Sequence, residues 1–326
     1  MSTIDHRHTP RRASSTRRSS GRIPRPDPLA ALARLTGRDR ALLELLAEHR
    51  VLATDHVAAW LFPTIDTAQR RLVTLYRLGV LNRFRIPQLD GAITSWRYTL
   101  GPLGAAVLAA MRGTTAPQPA VVHRRTLRLA AHPELAHLLG INNLLSQLAA
   151  HSRTQAHPPL ALCWGERRAT DACGALARPD ALLLWGQPGR AQLVGCLEYD
   201  TGTERLAAVT DKLPGYSDLA LAGGPRLPTT PADEDPATGC QPPPLWVLFL
   251  LPTLRREANL RQRLAGHHAA TTHAQPATGA TALRVATSTS GHLEHLGGAA
   301  EIWLPLHTTE RVSLTRLATA TRTGTR

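Results

Sequence analysis

Lysine is nearly missing from this 326-residue chain: of 38 basic side chains, all but Lys212 are arginine. Paired cysteines are missing too. Cys163, Cys173, Cys196 and Cys240 form no CxxC and have no histidine at zinc-finger spacing, which argues against a disulfide framework or a structural zinc and for reduced, buried thiols. No uninterrupted apolar run approaches the ~20 residues a spanning helix needs, and the N-terminus carries charge without an apolar signal core. The expected location is therefore the cytoplasm, with no membrane partner. Acids are scarce beside bases, 24 against 38, leaving a formal charge of +14. Clustered arginine gains affinity for phosphates by counterion release, so a polyanion is the expected partner, double-stranded DNA first.

The apolar content of 43% is enough for two ordinary domains. Residues 1–30 read as a disordered basic arm, because seven arginines up to Arg25 stand among Ser, Thr and Pro with a single acid, Asp5. Residues 31–113 read as short amphipathic helices followed by a hairpin. Thr36 and Asp39 make a capping-box start for the first helix, Thr54 starts a second that Pro63 ends, and Asp66 starts a third that Gly79 ends. Two β-type runs, 80–85 and 93–100, flank a turn at Asp90-Gly91. Three helices and a hairpin predict a winged helix-turn-helix, whose third helix enters the major groove while the hairpin lies along the backbone. Gln69, Arg70, Thr74 and Arg77 then face DNA from the helix, with Arg83, Arg85 and Arg97 on the wing. A protein-interaction or dimerisation winged helix is the alternative, and a homodimer stays open.

Residues 114–130 read as a linker and 131–310 as an α/β domain with a mixed central sheet. Its helix from about 133 to 150 precedes strand-like runs at 160–164, 181–185 and 193–199, a helix over 204–219 weakened by Pro214-Gly215, and an apolar strand at 245–251. A helix over 253–264 and late strands at 283–286 and 301–306 follow. Loose loops are expected at 222–244 and 266–281, and a disordered tail at 311–326. Acids cluster near the strand ends: Glu166, Asp180, Glu198 and Asp200. An Asp on one strand and a Glu on the next hold a divalent cation between them, and a lysine beside such a metal stabilises a phosphate oxyanion. Two bland readings stand beside this one. Lys212 is a residual surface charge, or Arg167, Arg168, Arg178 and Arg205 pair with the acids in an ion-pair network.

The order helix, three strands with acids near the ends of the second and third, then helix resembles the restriction-endonuclease-like fold of the PD-(D/E)xK nucleases. Its matching residues are Pro179-Asp180 and Glu198-Tyr199-Asp200. That resemblance implies Mg²⁺ held by Asp180 and Glu198, with Glu166 as a further acid, and water attacking a phosphodiester. The family's lysine two residues past the Glu is Asp200 here, so Lys212 on the following helix is the candidate replacement and Asp180, Glu198, Asp200 and Lys212 the candidate catalytic set. The ordered chain also resembles the replication-relaxation family of plasmid and integrative-element proteins, on residues 75–81 (Leu75-Tyr76-Arg77-Leu78-Gly79-Val80-Leu81), Arg178-Pro179-Asp180, and the run Leu197 to Glu204 followed by Lys212 and Tyr216. The resemblance implies an accessory role in replication or mobilisation, with a plasmid relaxase or replication initiator as partner and no established catalytic activity. A transcriptional regulator whose second domain dimerises or senses a ligand is the other class.

Overall fold

The computed structural model describes residues 28–86, 95–187, 191–228, 243–272 and 283–319. The N-terminal part runs α1 (Pro28–Arg34), α2 (Gly37–His49), β1 (Leu52–Ala53), α3 (Thr54–Leu61), α4 (Ile65–Arg77), β2 (Leu81–Phe84), β3 (Arg97–Leu100) and α5 (Pro102–Met111). α2 starts as its sequence says: the Thr36 hydroxyl accepts from the Asp39 amide while the Asp39 carboxylate accepts from the Thr36 amide. Arg71 of α4 donates its Nε to that carboxylate at 2.8 Å, tying the two helices together. α4 begins two residues earlier than expected. Thr64, not Asp66, is its cap, because the Thr64 hydroxyl is placed to accept from the Thr67 amide, and Asp66 lies inside the first turn. Gly79 ends the segment with φ +73, a conformation that costs glycine nothing. The strands form a three-stranded antiparallel sheet in the order β1-β3-β2. The expected hairpin tip at Asp90-Gly91 lies outside the described residues.

The stretch expected as a linker is largely helical. α6 (Pro119–Ala130) has proline at its first position and buries Val122, Thr126 and Leu129 on one stripe. The Thr126 hydroxyl accepts from Asn82 Nδ2 and shares a hydrogen bond with Thr99, both at 2.9 Å, which fastens α6 to the small sheet.

Then come α7 (Leu135–Thr154), β4 (Leu160–Gly165), α8 (Glu166–Cys173), β5 (Ala181–Gly186), β6 (Gln192–Tyr199), α9 (Leu206–Thr210), α10 (Leu213–Leu221), β7 (Leu245–Leu251), α11 (Leu254–Thr272), β8 (Arg284–Thr289), α12 (Ser290–Leu296), β9 (Leu304–Pro305) and α13 (Leu314–Thr319). The expected helix over 204–219 is broken in two at Asp211-Lys212, just before the proline at position 214. The six strands form one mixed sheet in sequence order: β4, β5 and β6 are antiparallel, β6, β7 and β8 parallel, and β9 antiparallel again. The fold is thus α/β with a mixed sheet, as expected. Alternation sorts the sheet into two faces. Leu183, Trp185, Leu193, Leu197 and Leu248 meet α7, α12 and α13, while Leu182, Val194, Cys196, Val247 and Phe249 meet α8, α9, α10 and α11. β7 is buried throughout because helices cover both sides.

Two expectations about loose segments are corrected. Leu314 and Leu317 of the expected tail are buried in α13 against the sheet, and Trp185 donates its indole N–H to Thr315 at 3.1 Å. Apolar side chains at positions 314, 317 and 318 give a short stripe that finds its partner only once the sheet exists. Residues 266–272, expected loose, continue α11; 229–242 and 273–282 lie outside the described residues.

α7 joins the two halves. Ile141, Leu144, Leu145 and Leu148 pack on the large sheet, and α3 runs along another side of the helix with Trp60 touching the same core. Arg153 caps the end of α3, donating to the carbonyls of Ala58, Ala59 and Phe62 at 3.2, 2.7 and 3.1 Å. Buried Asn142 donates to the carbonyls of His49 and Val51 at 3.1 and 2.6 Å. Those carbonyls flank Arg50, whose φ of 66 and ψ of −43 make a γ-turn closed by Val51 N–H to His49 O at 2.7 Å. Such a conformation costs a residue with a side chain about 1–3 kcal/mol and persists where the surroundings impose it.

His49, buried and stacked on Trp60, is pushed down to about 4 by burial and then by the neighbouring His56. The unfolded chain takes up a proton near pH 6.5 that folded His49 refuses until about pH 4, so stability falls as the pH drops through this window, by roughly 3 kcal/mol. Thermal melts between pH 7 and 4 are expected to show a shallower acid loss in His49→Leu than in the wild type. Parallel curves would contradict this.

Candidate functional site

The acids sit where β5 and β6 end side by side. Ala181 pairs with Leu197, and the Asp180 amide donates to Leu197 O at 3.0 Å, so Asp180 and Glu198 lie opposite each other at the last rung. Asp180 Oδ2 accepts from the Tyr199 amide at 2.8 Å and bonds to His137 Nε2 at 3.1 Å. His137 comes from α7, and its ring meets Tyr199 edge-on at 5.5 Å. Gly140, one turn along the same helix, leaves room for the Tyr199 ring; a Cβ there would collide with it. Burial disfavours the His137 imidazolium, but the hydrogen bond and charge of Asp180 outweigh it and raise the imidazole above its usual value.

Glu198 is 3% exposed. Its Oε2 accepts from Lys212 Nζ at 2.7 Å, and its Oε1 accepts from the Tyr216 hydroxyl. Lys212 precedes α10 and Tyr216 lies in its first turn, so the break in the 204–219 helix is what brings both donors to one carboxylate. Burial, then the charge of Asp180, pushes Glu198 up to about 7, against the smaller opposing pull of Lys212 and Tyr216. Burial disfavours the ammonium of Lys212, yet the facing Glu198 holds it above its ordinary range. For Tyr216 burial and Glu198 both raise the phenol, which stays a donor.

The sequence-expected residues thus divide. Asp180, Glu198 and Lys212 are together. Glu166, first residue of α8, lines a small pocket of about 30 Å³ with Asp180, His137, His132 and Arg50. Asp200 turns elsewhere: Arg256 of α11 grips both of its oxygens and the Gly202 amide donates to it at 2.7 Å. Arg168, one candidate partner of the acids, pairs with Glu48 of α2 at 3.6 Å. His137, Arg256 and Asn142 carry no local sequence signal, since each meets its partner from a distant element. Tyr216 does, through its place four residues past the lone lysine.

The carboxylates as arranged do not fit a divalent cation. Mg²⁺ takes free carboxylate oxygens, whereas both oxygens of Glu198 and one of Asp180 accept from protein donors. Among the described residues no three His, Cys, Asp or Glu side chains are gathered as a ligand set. The ammonium of Lys212 stands on Glu198 where a cation would have to bind.

On the other half, Gln69, Arg70, Thr74 and Arg77 are exposed on α4, around a buried stripe of Ala68, Leu72 and Leu75. Arg83 is layered between the rings of Tyr76 and Trp96, at 4.2 and 3.9 Å, and Arg85 lies 4.1 Å from the Trp96 ring. Arg97 is half-buried, its guanidinium lowered by burial.

The molecule is an α/β protein with a mixed six-stranded sheet, a helical N-terminal half with its own small sheet, and a lysine-bridged carboxylate cluster at the strand ends. It matches the replication-relaxation family over residues 43–230, more than half of its length, and belongs to that family. The match spans α4, Asp180, Glu198 and Lys212. No curated protein and no solved structure matches the chain.

Because Glu198 is raised, between pH 4.5 and about 7 the folded protein keeps a proton the unfolded chain has lost, and its contribution to stability falls as pH rises through that window. Carbon-13 NMR of the Glu198 carboxyl is expected to show a midpoint near 7 that moves higher in Lys212→Met. An unmoved midpoint would place Lys212 away from Glu198.

Proposed function

We infer from this membership that the chain acts in replication or mobilisation. We propose that it does this as a DNA-binding accessory factor of a plasmid or integrative element, with its N-terminal half a winged helix-turn-helix and its C-terminal half a nuclease-like domain serving a relaxase or replication initiator. The observation that carries the reading is the outer face of α4: Gln69, Arg70, Thr74 and Arg77 are all exposed, and neither arginine has a carboxylate partner among the described residues. An amphipathic helix that holds two unneutralised arginines toward solvent, in a chain of charge +14, suits a phosphate-lined groove. Arg83 of β2 and Arg85 just past it, both against the Trp96 ring, serve as wing contacts.

A second reading, Mg²⁺-dependent nicking by Asp180, Glu198 and Lys212, is favoured by the contact between Lys212 and Glu198, which brings the displaced lysine back to the acid. It requires that pair to open. Supercoiled plasmid incubated with the protein and Mg²⁺ is expected to stay intact; nicking that disappears in Glu198→Ala would establish the second reading instead.

In fluorescence anisotropy with duplex DNA, Arg70→Ala/Arg77→Ala is expected to weaken binding about tenfold or more at moderate salt. It should also reduce the slope of log affinity against log salt by about 1.8, two phosphate contacts at ~0.9 each. Unchanged affinity and slope would remove α4 from the interface.

A further inference from the structure

Beside the carboxylate cluster lies a cavity of about 450 Å³ between α2, the small sheet and α6. Its floor is apolar, with Leu46 and Leu129, and its basic side chains are Arg50, Arg125, Arg128 and His132; no carboxylate lines it. The three arginines are exposed and form no ion pair among the described residues. Arg50, Leu129 and His132 also line the small pocket that holds Asp180, Glu166 and Glu134, so the two hollows share a wall.

We infer that this cavity seats an unpaired DNA strand by its phosphates, with Arg50, Arg125 and Arg128 as the phosphate clamps. The inference rests on the DNA-binding reading above and adds a second surface to it, distinct from the outer face of α4. Three features support it. The charge is of one sign, complementary to a phosphodiester backbone. The volume is that of a small-molecule pocket, enough for on the order of one or two nucleotides and too small for a double helix. Arg50 occupies the γ-turn at φ 66 that Asn142 staples from α7, a conformation glycine would hold more easily, so the turn retains a long cationic side chain at a backbone cost. No Phe, Tyr or Trp ring lines the cavity, so strand recognition there is chiefly by backbone charge.

The test uses the full chain, a labelled 12-nucleotide single strand and a labelled duplex. Arg125→Ala/Arg128→Ala changes only exposed side chains and is expected to lower single-strand affinity about tenfold and its salt slope by about 1.4, at ~0.7 for each contact, while duplex affinity stays within twofold. Arg70→Ala/Arg77→Ala should do the reverse. Arg50→Gly is expected to melt no lower than the wild type yet bind the strand several-fold more weakly, which a purely structural role for Arg50 does not produce. Failure of the wild type to bind the strand, unchanged strand affinity in the α6 variant, or equal loss of strand and duplex there overturns the inference. Retained duplex binding in the α4 variant overturns the reading of α4 alone.

Discussion

Two hydrogen bonds from one side-chain amide hold the molecule's halves in register. Asn142, buried on α7, donates to the carbonyls on either side of Arg50 and so fixes the turn that leaves α2. Without Asn142 the Val51 carbonyl would lose this donor, at a cost of about 1–3 kcal/mol, and the γ-turn would be held by the Val51-to-His49 hydrogen bond alone. Everything nearby depends on the same helix. Its apolar side covers the large sheet, Arg153 caps α3, and His137 reaches Asp180. α7 therefore sets both the attitude of the N-terminal helices and one wall of the acidic cluster.

That cluster is a balance between burial and pairing. Glu198 sits where an isolated carboxylate would be neutral, and its two donors, Lys212 and Tyr216, satisfy it without restoring an ordinary acidity. Nearby Asp200 illustrates the other outcome: two residues on, a bidentate arginine takes it into a separate ion pair. Acids close in sequence thus serve unlike ends. A short hop along the chain past a strand end changes which element supplies the partner. The lone lysine in an arginine-rich chain goes to the position where a compact point charge meets one carboxylate oxygen, while arginines take the sites that reward a planar fork.

Much was legible from local pattern. The capping box at Thr36 and Asp39, the apolar run of β7, the end of α4 at Gly79 and the three runs that become β4, β5 and β6 all follow from short-range chemistry, and each forms as expected. α6 escaped notice because Pro and Gly at 113–119 read as a linker and its buried stripe includes a threonine, Thr126, whose hydroxyl meets Asn82 and Thr99 from two strands of the small sheet. α13 was hidden among threonines and arginines, with an apolar stripe too short to declare itself without the sheet it covers. The cap of α4 shifted from Asp66 to Thr64 since either side chain suits that position and only backbone geometry chooses.

Local pattern set most of the elements and their chemistry: an arginine-rich, lysine-poor chain, acids at strand ends, alternating strands and all but a few of the amphipathic helices. These are set by side-chain type and spacing over a few residues, which is the range of helix and strand periodicity. Only the tertiary structure decided which donors the acids receive, that Lys212 returns to Glu198 while Arg256 takes Asp200, that His137 meets Asp180, and that Arg50 with α6 forms an acid-free cavity beside them. The side-chain pairings join residues 14 to 56 positions apart, and whether a buried charge is paired depends on which elements the sheet order and α7 bring into contact.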